Sequence, residues 1–251
     1  MIALWAHPRS RSTAFERVFI ERGDFQVFHE PFSSCRFAGS DGQHIPFNHL
    51  PQSEPTSYVE VKNRLIQASK HGNVFHKDMC YHCLDQLLLD TEFLEVQVNA
   101  FIIRDPIPTI LSHAELFPDM PLDAIGYEAL YRVFERVSEL TNRSPVIIHA
   151  DDLAAHPDAV IRAFCEAVDI EHLPAALQWR PVMPSQWATW HEWHKDAAES
   201  TAITSNGSRR YSTDLESNPR LRAYYEHHLP FYELLNAKRL PFSVERAQCD
   251  K

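Results

Sequence analysis

The chain has 251 residues, with 24 Lys or Arg against 34 Asp or Glu, so its formal net charge is −10 with neutral histidines. Its 44% of hydrophobic residues excludes a disordered chain. No apolar run approaches the roughly 18 residues that a membrane span needs. The acidic balance argues against non-specific binding to nucleic acid or anionic membranes. Five cysteines do not indicate a disulfide framework, so we expect a reduced, cytoplasmic compartment.

Short apolar runs alternate with amphipathic stretches, which predicts strands alternating with helices. In chain order the pattern predicts strand Ile2–Ala6, helix Ser12–Arg22, strand Gln26–His29, helix 57–71, strand 74–76, helix Leu84–Leu89, strand Val98–Ile103, helices 108–117 and Tyr127–Thr141, strand Val146–His149 and helix 157–168. Such βαβ units predict an α/β fold with three layers, α/β/α, around a central, mostly parallel sheet of about five strands. We expect a single domain over 1–251, with ligands at the carboxyl ends of the strands.

The turn after the first strand, HPRSRST at 7–13, carries groups that bind phosphate. It runs directly into a helix, whose first N–H groups have no partner within the helix. Hydroxyl and guanidinium groups are supplied by Ser10, Ser12, Thr13, Arg9 and Arg11. The glycine-bracketed lysine of the Walker pattern is missing. The alternative interpretation is a capped helix with two solvated arginines.

This turn resembles the 5′-phosphosulfate loop, commonly P-K-S-G-T-T, of sulfotransferases that use 3′-phosphoadenosine 5′-phosphosulfate (PAPS). On that match Arg9 takes the lysine position and Ser10 the serine position. Ser12 and Thr13 take the two threonine positions, and Arg11 stands where glycine is usual. The resemblance implies a P-loop NTPase-like fold, PAPS as the cofactor, and sulfuryl transfer to a hydroxyl or amine of a small-molecule acceptor.

A second motif follows the strand Val98–Ile103. Residues 104–112, RDPIPTILS, resemble the 3′-phosphate motif R-x-P-x-x-x-x-x-S of the same family. An arginine at the end of a strand and a serine about two helical turns further can reach one phosphate group. The resemblance therefore implies that Arg104 and Ser112 bind the 3′-phosphate. Alternatively, the motif only starts a helix and Arg104 pairs with a carboxylate.

The reaction would need cations at the leaving phosphate and a general base for the acceptor. By resemblance, Arg9 and Lys77 are the cations, Lys77 directly following the predicted strand 74–76. A solvated lysine at a strand end is the alternative for Lys77. In-line transfer of a sulfuryl group, which carries less charge than a phosphoryl group, can proceed with side-chain cations alone. We therefore expect no metal requirement.

The segment 28–32, FHEPF, resembles bacterial carbohydrate sulfotransferases that carry a glutamate after the second strand. That resemblance implies Glu30 as the general base. His82 and His29 are the alternative bases. A competing interpretation is that Glu30 pairs with an arginine of the turn at 7–13.

Two stretches, 31–55 and 178–214, depart from the alternating pattern, and we expect them to shape or cover the acceptor pocket. In the second stretch, tryptophans at 187, 190 and 193 predict one aromatic helical stripe, which either packs in the interior or lines that pocket. Arg209 and Arg210 are candidates for further contacts to the 3′-phosphate, or else form a solvated basic turn. Cys80 and Cys83 have a zinc-like spacing, but no second pair follows, so we expect no metal site.

Two rival functions remain open. A P-loop kinase-like phosphotransferase would require ATP and Mg²⁺. A nucleotide-binding module without the base would bind the nucleotide and transfer nothing. The sequence predicts neither a nucleic-acid partner nor a membrane partner, and it identifies neither the acceptor nor the oligomeric state.

Overall fold

The computed structural model describes residues 1–38, 44–47, 49–51, 54–205 and 210–244. Its sheet has five parallel strands in the order β2-β3-β1-β4-β5. The strands are β1 (Ile2–Ala6), β2 (Gln26–His29), β3 (Val74–Met79), β4 (Val98–Ile103) and β5 (Val146–His149). The predicted α/β fold with a parallel sheet is therefore confirmed, and four of these strands have the predicted bounds.

Helices flank this sheet and connect its strands. The α-helices are α1 (Ser12–Arg22), α2 (Ser33–Phe37), α3 (Tyr58–Ser69), α4 (Leu84–Leu89), α5 (Thr91–Glu95), α6 (Pro106–Leu116), α7 (Tyr127–Thr141), α8 (Ala150–Ala155), α9 (Pro157–Ala167), α10 (Lys195–Glu199) and α11 (Pro219–Asn236). Short 3₁₀-helices span Cys80–His82, Leu122–Ile125, Pro174–Leu177 and Ser185–His194. Within the ranges given above, no helix has both the length and the apolar content needed to cross a membrane.

One predicted strand and one predicted helix differ from the prediction at an end that lies beside the candidate site. The strand predicted at 74–76 continues to Met79, because the polar residues that end its apolar pattern are still paired with β1: Lys77 lies opposite Leu4 and Asp78 opposite Trp5. Helix α6 begins two residues earlier than predicted, since the Asp105 side chain accepts a hydrogen bond of 2.8 Å from the backbone N–H of Ile107.

The core fixes the start of α1 at the carboxyl edge of the sheet. All five residues of β1 are buried, and Phe19 of α1 stacks on Phe75 of β3 with ring centroids 3.9 Å apart. Phe15 packs on the same ring at 6.4 Å. Burying each such side chain contributes about 1.5–3 kcal/mol, so α1 is anchored where β1 ends. The ends of β2, β3 and β4 lie at the same edge, where ligands were expected.

Candidate functional site

The turn between β1 and α1 has an unusual backbone. Arg9 and Arg11 both adopt the left-handed conformation, with φ of 61° and 63°. For residues other than glycine this conformation costs roughly 1–2 kcal/mol, and such strain clusters at functional sites. Left-handed residues in a turn direct successive N–H groups into a concave nest that binds anions. Position 11, where glycine is usual in the resembling motif, is thus a position that favours glycine.

Two buried side-chain atoms of this turn, Ser10 Oγ and Arg11 Nε, have no hydrogen-bond partner among the described residues. The hydroxyl of Ser10 is fully buried and makes no hydrogen bond to any residue that the structure describes. No side chain of the described residues caps α1, and Arg9 and Arg11 donate to Ser112 and to the carbonyl of Thr204, so a capped helix with two solvated arginines is the wrong interpretation. Buried polar groups are nearly always hydrogen-bonded. An anion at this helix start would supply the missing partners.

The structure brings the two predicted phosphate motifs together. The guanidinium of Arg9 donates a hydrogen bond of 2.9 Å from Nε to the hydroxyl of Ser112 on α6. Arg104, directly after β4, donates from Nη1 to the backbone carbonyl of Arg9 at 3.2 Å. Arg104 Nε also lies 4.0 Å from Asp151 Oδ1, a long contact with a half-exposed carboxylate. The cationic ends of both motifs therefore meet around Arg9.

A cavity of about 740 Å³ opens beside these groups. Its charged lining residues are Arg9, Arg11, Arg104, Asp151, Asp196 and Glu199. Burial and the nearby charge of Arg104 lower the pKa of the Arg11 guanidinium, as expected where two cations converge. The volume falls within the range of about 300–1,000 Å³ that small-molecule and cofactor sites occupy.

A second, narrower cavity of about 50 Å³ lies next to the first, and the two share Arg9 and Trp193. Its other lining residues are Pro8, Glu30, Phe37, Ile45, Met79, Tyr81, His82, His113, Trp190 and His194. Most of this lining is aromatic or aliphatic, and Glu30 is its only carboxylate among the described lining residues. The arrangement places a carboxylate in a mainly apolar cavity that shares Arg9 with the cavity lined by Arg104 and Ser112.

Glu30 and Lys77 form a buried ion pair, in which the Lys77 ammonium donates to Oε1 of Glu30. Both alternatives raised for these residues are wrong: Lys77 lies inside β3 and is fully buried, and Glu30 pairs with it rather than with an arginine of the turn. Burial opposes ionisation of Glu30, but the Lys77 ammonium outweighs it and holds the pKa of the Glu30 carboxyl below its usual value. Glu30 is therefore a carboxylate at neutral pH.

His82, an alternative base, is oriented by Asp78. Its Nδ1 lies 2.6 Å from Asp78 Oδ1, and Asp78 also accepts hydrogen bonds from the backbone N–H groups of Phe32 and Met79. Asp78 is thus a satisfied, buried acceptor, so His82 donates from Nδ1 and keeps Nε2 as an acceptor. Because His82 lines the narrow cavity, this geometry leaves it available as a second base.

His29, the other alternative, uses both ring nitrogens within the protein. Nδ1 lies 2.7 Å from Glu16 Oε2, and Nε2 lies 2.9 Å from His194 Nε2. Burial, reinforced by Lys77, lowers the pKa of His29 to about 3. His29, Glu30 and His194 offer ligand atoms within 4.8 Å of one another, a spacing that could hold a metal ion. The buried Lys77 ammonium on Glu30 opposes a second cation there.

The predicted tryptophan stripe packs partly in the interior and partly along the narrow cavity. Residues Ser185–His194 form a 3₁₀-helix with a kink at Trp190, not one regular α-helix. Trp187 is fully buried and packs near His29, with ring centroids 6.3 Å apart. Trp190 and Trp193 line the narrow cavity. Part of the segment 178–214 thus reaches the site, as does Ile45 from the segment 31–55.

The remaining predicted residues are less closely connected to the site. Ser12 is buried at the first position of α1, and Thr13 lies 3.3 Å from His194 Nδ1. Arg209 lies outside the described residues. Arg210 is exposed and does not line the larger cavity, although the neighbouring Tyr211 does. The role of these two arginines in binding a 3′-phosphate stays a prediction.

Sequence comparison gives the family. The family described as "Sulfotransferase domain" matches residues 1–239, so the chain belongs to the sulfotransferase domain family. Membership supports sulfotransfer as the general reaction.

Two curated relatives come from Arabidopsis thaliana. "Branched-chain-amino-acid aminotransferase-like protein 2" is 27% identical over 212 residues, covering 82% of this chain and 36% of the relative. "Branched-chain-amino-acid aminotransferase-like protein 1" is 26% identical over 244 residues, covering 94% of this chain and 42% of the relative. The chain therefore spans less than half the length of these relatives.

Two solved sulfotransferase domains are similar in fold, one from the olefin synthase of Synechococcus PCC 7002 and one from the curacin biosynthetic pathway. They are 12% and 11% identical to this chain, with TM-scores of 0.49 each. The first alignment covers 91% of this chain and 94% of that domain, and the second covers 98% and 93%.

Proposed function

We propose that this protein moves a sulfuryl group from PAPS to a hydroxyl or amine of a small-molecule acceptor by in-line displacement. The observation that carries the proposal is the 2.9 Å hydrogen bond between Arg9 and Ser112, which joins the two phosphate motifs at one nucleotide-sized cavity. Membership in the sulfotransferase domain family supports the same reaction class. The donor and the acceptor would lie in the two cavities that share Arg9.

The larger cavity offers separate groups for the two ends of the donor. The nest at 9–11 and the start of α1 suit the 5′-phosphosulfate, because the left-handed turn is of the kind that directs N–H groups to an anion and the buried Ser10 hydroxyl has no partner among the described residues. Ser112 accepts from Arg9, so its own proton is free to be donated to a 3′-phosphate oxygen. Arg104 Nε is buried and makes no hydrogen bond to the described part of the chain.

In this proposal the reacting hydroxyl or amine of the acceptor enters the narrow cavity, where Glu30 is the general base. During transfer the bond between sulfur and the leaving phosphate oxygen breaks, and a bond from sulfur to the acceptor oxygen or nitrogen forms. Glu30 takes the acceptor proton, and Arg9 and Lys77 stabilise the charge left on the phosphate. Lys77 has a second role, since it keeps Glu30 ionised before the proton arrives.

The ionised Glu30 argues against the inactive module, and the side-chain cations argue against the kinase-like enzyme. A module that only binds nucleotide has no need for a buried carboxylate held in an apolar cavity. A kinase-like enzyme would use a metal ion to neutralise phosphate charge. Here the charge-neutralising groups are side chains, so we propose catalysis without a metal ion.

Calorimetry with adenosine 3′,5′-bisphosphate and with ATP plus Mg²⁺ tests the donor assignment. We expect the bisphosphate to bind at least about tenfold more tightly, since one charge-assisted phosphate contact is worth about that factor. Tighter binding of ATP plus Mg²⁺ would favour the kinase-like alternative. Absence of binding by either nucleotide would refute the proposal.

Label transfer tests the reaction itself. Radiolabelled sulfate on the donor should pass to at least one member of a panel of small alcohols, phenols and amines. Excess chelator should leave the rate unchanged. Bisphosphate binding without transfer to any acceptor would favour the inactive module.

A further inference from the structure

A continuous row of buried contacts joins Glu16, in the middle of α1, to Thr13 in the phosphate-binding turn. Glu16 Oε2 lies 2.7 Å from His29 Nδ1, and His29 Nε2 lies 2.9 Å from His194 Nε2. His194 Nδ1 in turn lies 3.3 Å from the Thr13 hydroxyl. In each histidine, one ring nitrogen faces the Glu16 end of the row and the other faces the Thr13 end.

Both histidines are neutral, because burial lowers the pKa of His29 to about 3 and that of His194 well below its usual value. A neutral imidazole has one donor nitrogen and one acceptor nitrogen. A row of two neutral imidazoles therefore has only two consistent hydrogen-bond arrangements, here called the first and the second setting. Donor and acceptor exchange roles at every contact between one setting and the other.

In the first setting Glu16 is ionised. Its carboxylate accepts a hydrogen bond from Nδ1–H of His29. Nε2 of His29 then accepts from Nε2–H of His194, and Nδ1 of His194 accepts from the hydroxyl of Thr13. In the second setting Glu16 is protonated and donates to His29, which donates to His194, which donates to the oxygen of Thr13. Only the second setting leaves the Thr13 proton free to be donated elsewhere.

We propose that Glu16 is a positioning residue whose protonation, passed through His29 and His194, decides whether the Thr13 hydroxyl can donate to an anion in the turn. The anion is the 5′-end of the donor, so this inference rests on the proposed function. The second setting holds one more proton than the first, and that proton sits on Glu16. Donor binding should therefore be coupled to uptake of one proton.

The surroundings of Glu16 place its titration in an accessible pH range. Burial raises the pKa of the Glu16 carboxyl to about 8, Glu30 and Asp78 add to the rise, and Lys77 and the Trp187 indole oppose it. The second oxygen, Oε1, is buried without a hydrogen-bond partner among the described residues. Trp187 Nε1 is also without a partner in the described part of the chain, so the indole lies near the carboxyl without forming a hydrogen bond of normal geometry to it. Burial without full hydrogen bonding favours the protonated carboxyl.

Nitrogen NMR of the histidine rings tests the row without any ligand. In the wild-type protein, His29 should change from the Nε2–H to the Nδ1–H tautomer as the pH rises, with a midpoint of about 8. His194 should change in the opposite sense at the same midpoint. In Glu16→Gln neither ring should switch, because an amide does not titrate. Independent midpoints, or a switch that persists in Glu16→Gln, would overturn the inference.

Binding of adenosine 3′,5′-bisphosphate tests the consequence. From about pH 7.5 to about pH 9.5 the wild-type Kd should weaken by about tenfold, the value of one hydrogen bond to a charged group. Calorimetry in two buffers of different ionisation enthalpy should show proton uptake above the midpoint. Glu16→Gln should bind with a Kd that does not change with pH. The matched control, Glu21→Gln on the same helix, should behave as wild type.

Thr13→Val gives an independent check in a variant that keeps Glu16. It should bind the bisphosphate weakly at every pH, since no hydroxyl is left to reorient. A coupled tautomer switch without bisphosphate binding would refute the proposed function and leave the row standing. Binding without pH dependence in the wild type would refute the row and leave the proposed function standing.

Discussion

The turn at 7–13 and the narrow cavity beside Glu30 meet at Arg9, yet they are built in different ways. The turn uses consecutive residues after β1, a strained backbone and uncapped N–H groups. The cavity is assembled from side chains of segments as distant as Phe37, Tyr81 and Trp190. Anion recognition can thus be encoded in one short stretch of sequence, whereas an apolar pocket depends on tertiary packing. Substitutions at five positions would test this division.

Glu30→Gln should have the largest effect. It keeps the shape of the side chain but removes the proton acceptor, so kcat should fall by about 100-fold or more. The Kd of adenosine 3′,5′-bisphosphate should stay within about threefold, because Glu30 lies on the acceptor side. Glu95→Gln, at an exposed position, is the control. Near-normal turnover in Glu30→Gln would transfer the role of base to His82.

Arg9→Ala should affect both donor binding and the reaction with the acceptor, because Arg9 lines both cavities. Losing one preorganised cation should lower kcat/KM by about 100-fold and also weaken donor binding. Arg9→Lys should retain more activity than Arg9→Ala, since lysine restores the charge. Equal losses in the two variants would show that the hydrogen bond from Nε to Ser112 matters more than the charge.

Phe37→Leu and Tyr211→Leu should distinguish the proposed acceptor cavity from the proposed donor cavity. Phe37 lines only the narrow cavity and Tyr211 only the larger one. Losing part of an aromatic contact should raise the acceptor KM of Phe37→Leu by about fivefold and leave its donor Kd unchanged. Tyr211→Leu should show the reverse in steady-state kinetics and calorimetry. If both variants change the same constant, the two cavities form one site.

Arg11→Gly should have the smallest effect, and on stability rather than on rate. Relief of the left-handed backbone should raise the free energy of unfolding by about 1 kcal/mol relative to Arg11→Ala. Both variants lose the guanidinium, so urea denaturation of the pair isolates the backbone term. Equal stability of the two would mean that the turn is not strained at position 11.

The fold was largely predictable because its strands are short, nearly continuous apolar runs separated by helical periodicity. The prediction failed where tertiary pairing overrode that pattern. The end of β3 carries Lys77 and Asp78 inside the sheet, since β1 supplies their backbone partners. Helix α11 was not predicted, because its polar residues and the internal Pro230 obscure the apolar periodicity.

The same limit applies to the site. The spacing from Arg104 to Ser112 and the turn at 7–13 are local, so the sequence identified the residues that meet at the larger cavity. The pairing of Glu30 with Lys77 and the contact of His29 with His194 join residues 47 and 165 positions apart. No periodicity or spacing encodes contacts of that kind, and only the folded chain displays them.

The measurement that tests the central claim most directly is a double cycle between Arg104 and the 3′-phosphate. Calorimetry would compare adenosine 3′,5′-bisphosphate with adenosine 5′-phosphate, in the wild type and in Arg104→Ala, with Arg132→Ala as the control. Removing the 3′-phosphate should weaken wild-type binding by about 10- to 100-fold, and should weaken binding to Arg104→Ala much less, by only the smaller contribution of the Ser112 hydroxyl. Equal losses in both proteins would contradict the assignment of Arg104 to the 3′-phosphate of the donor.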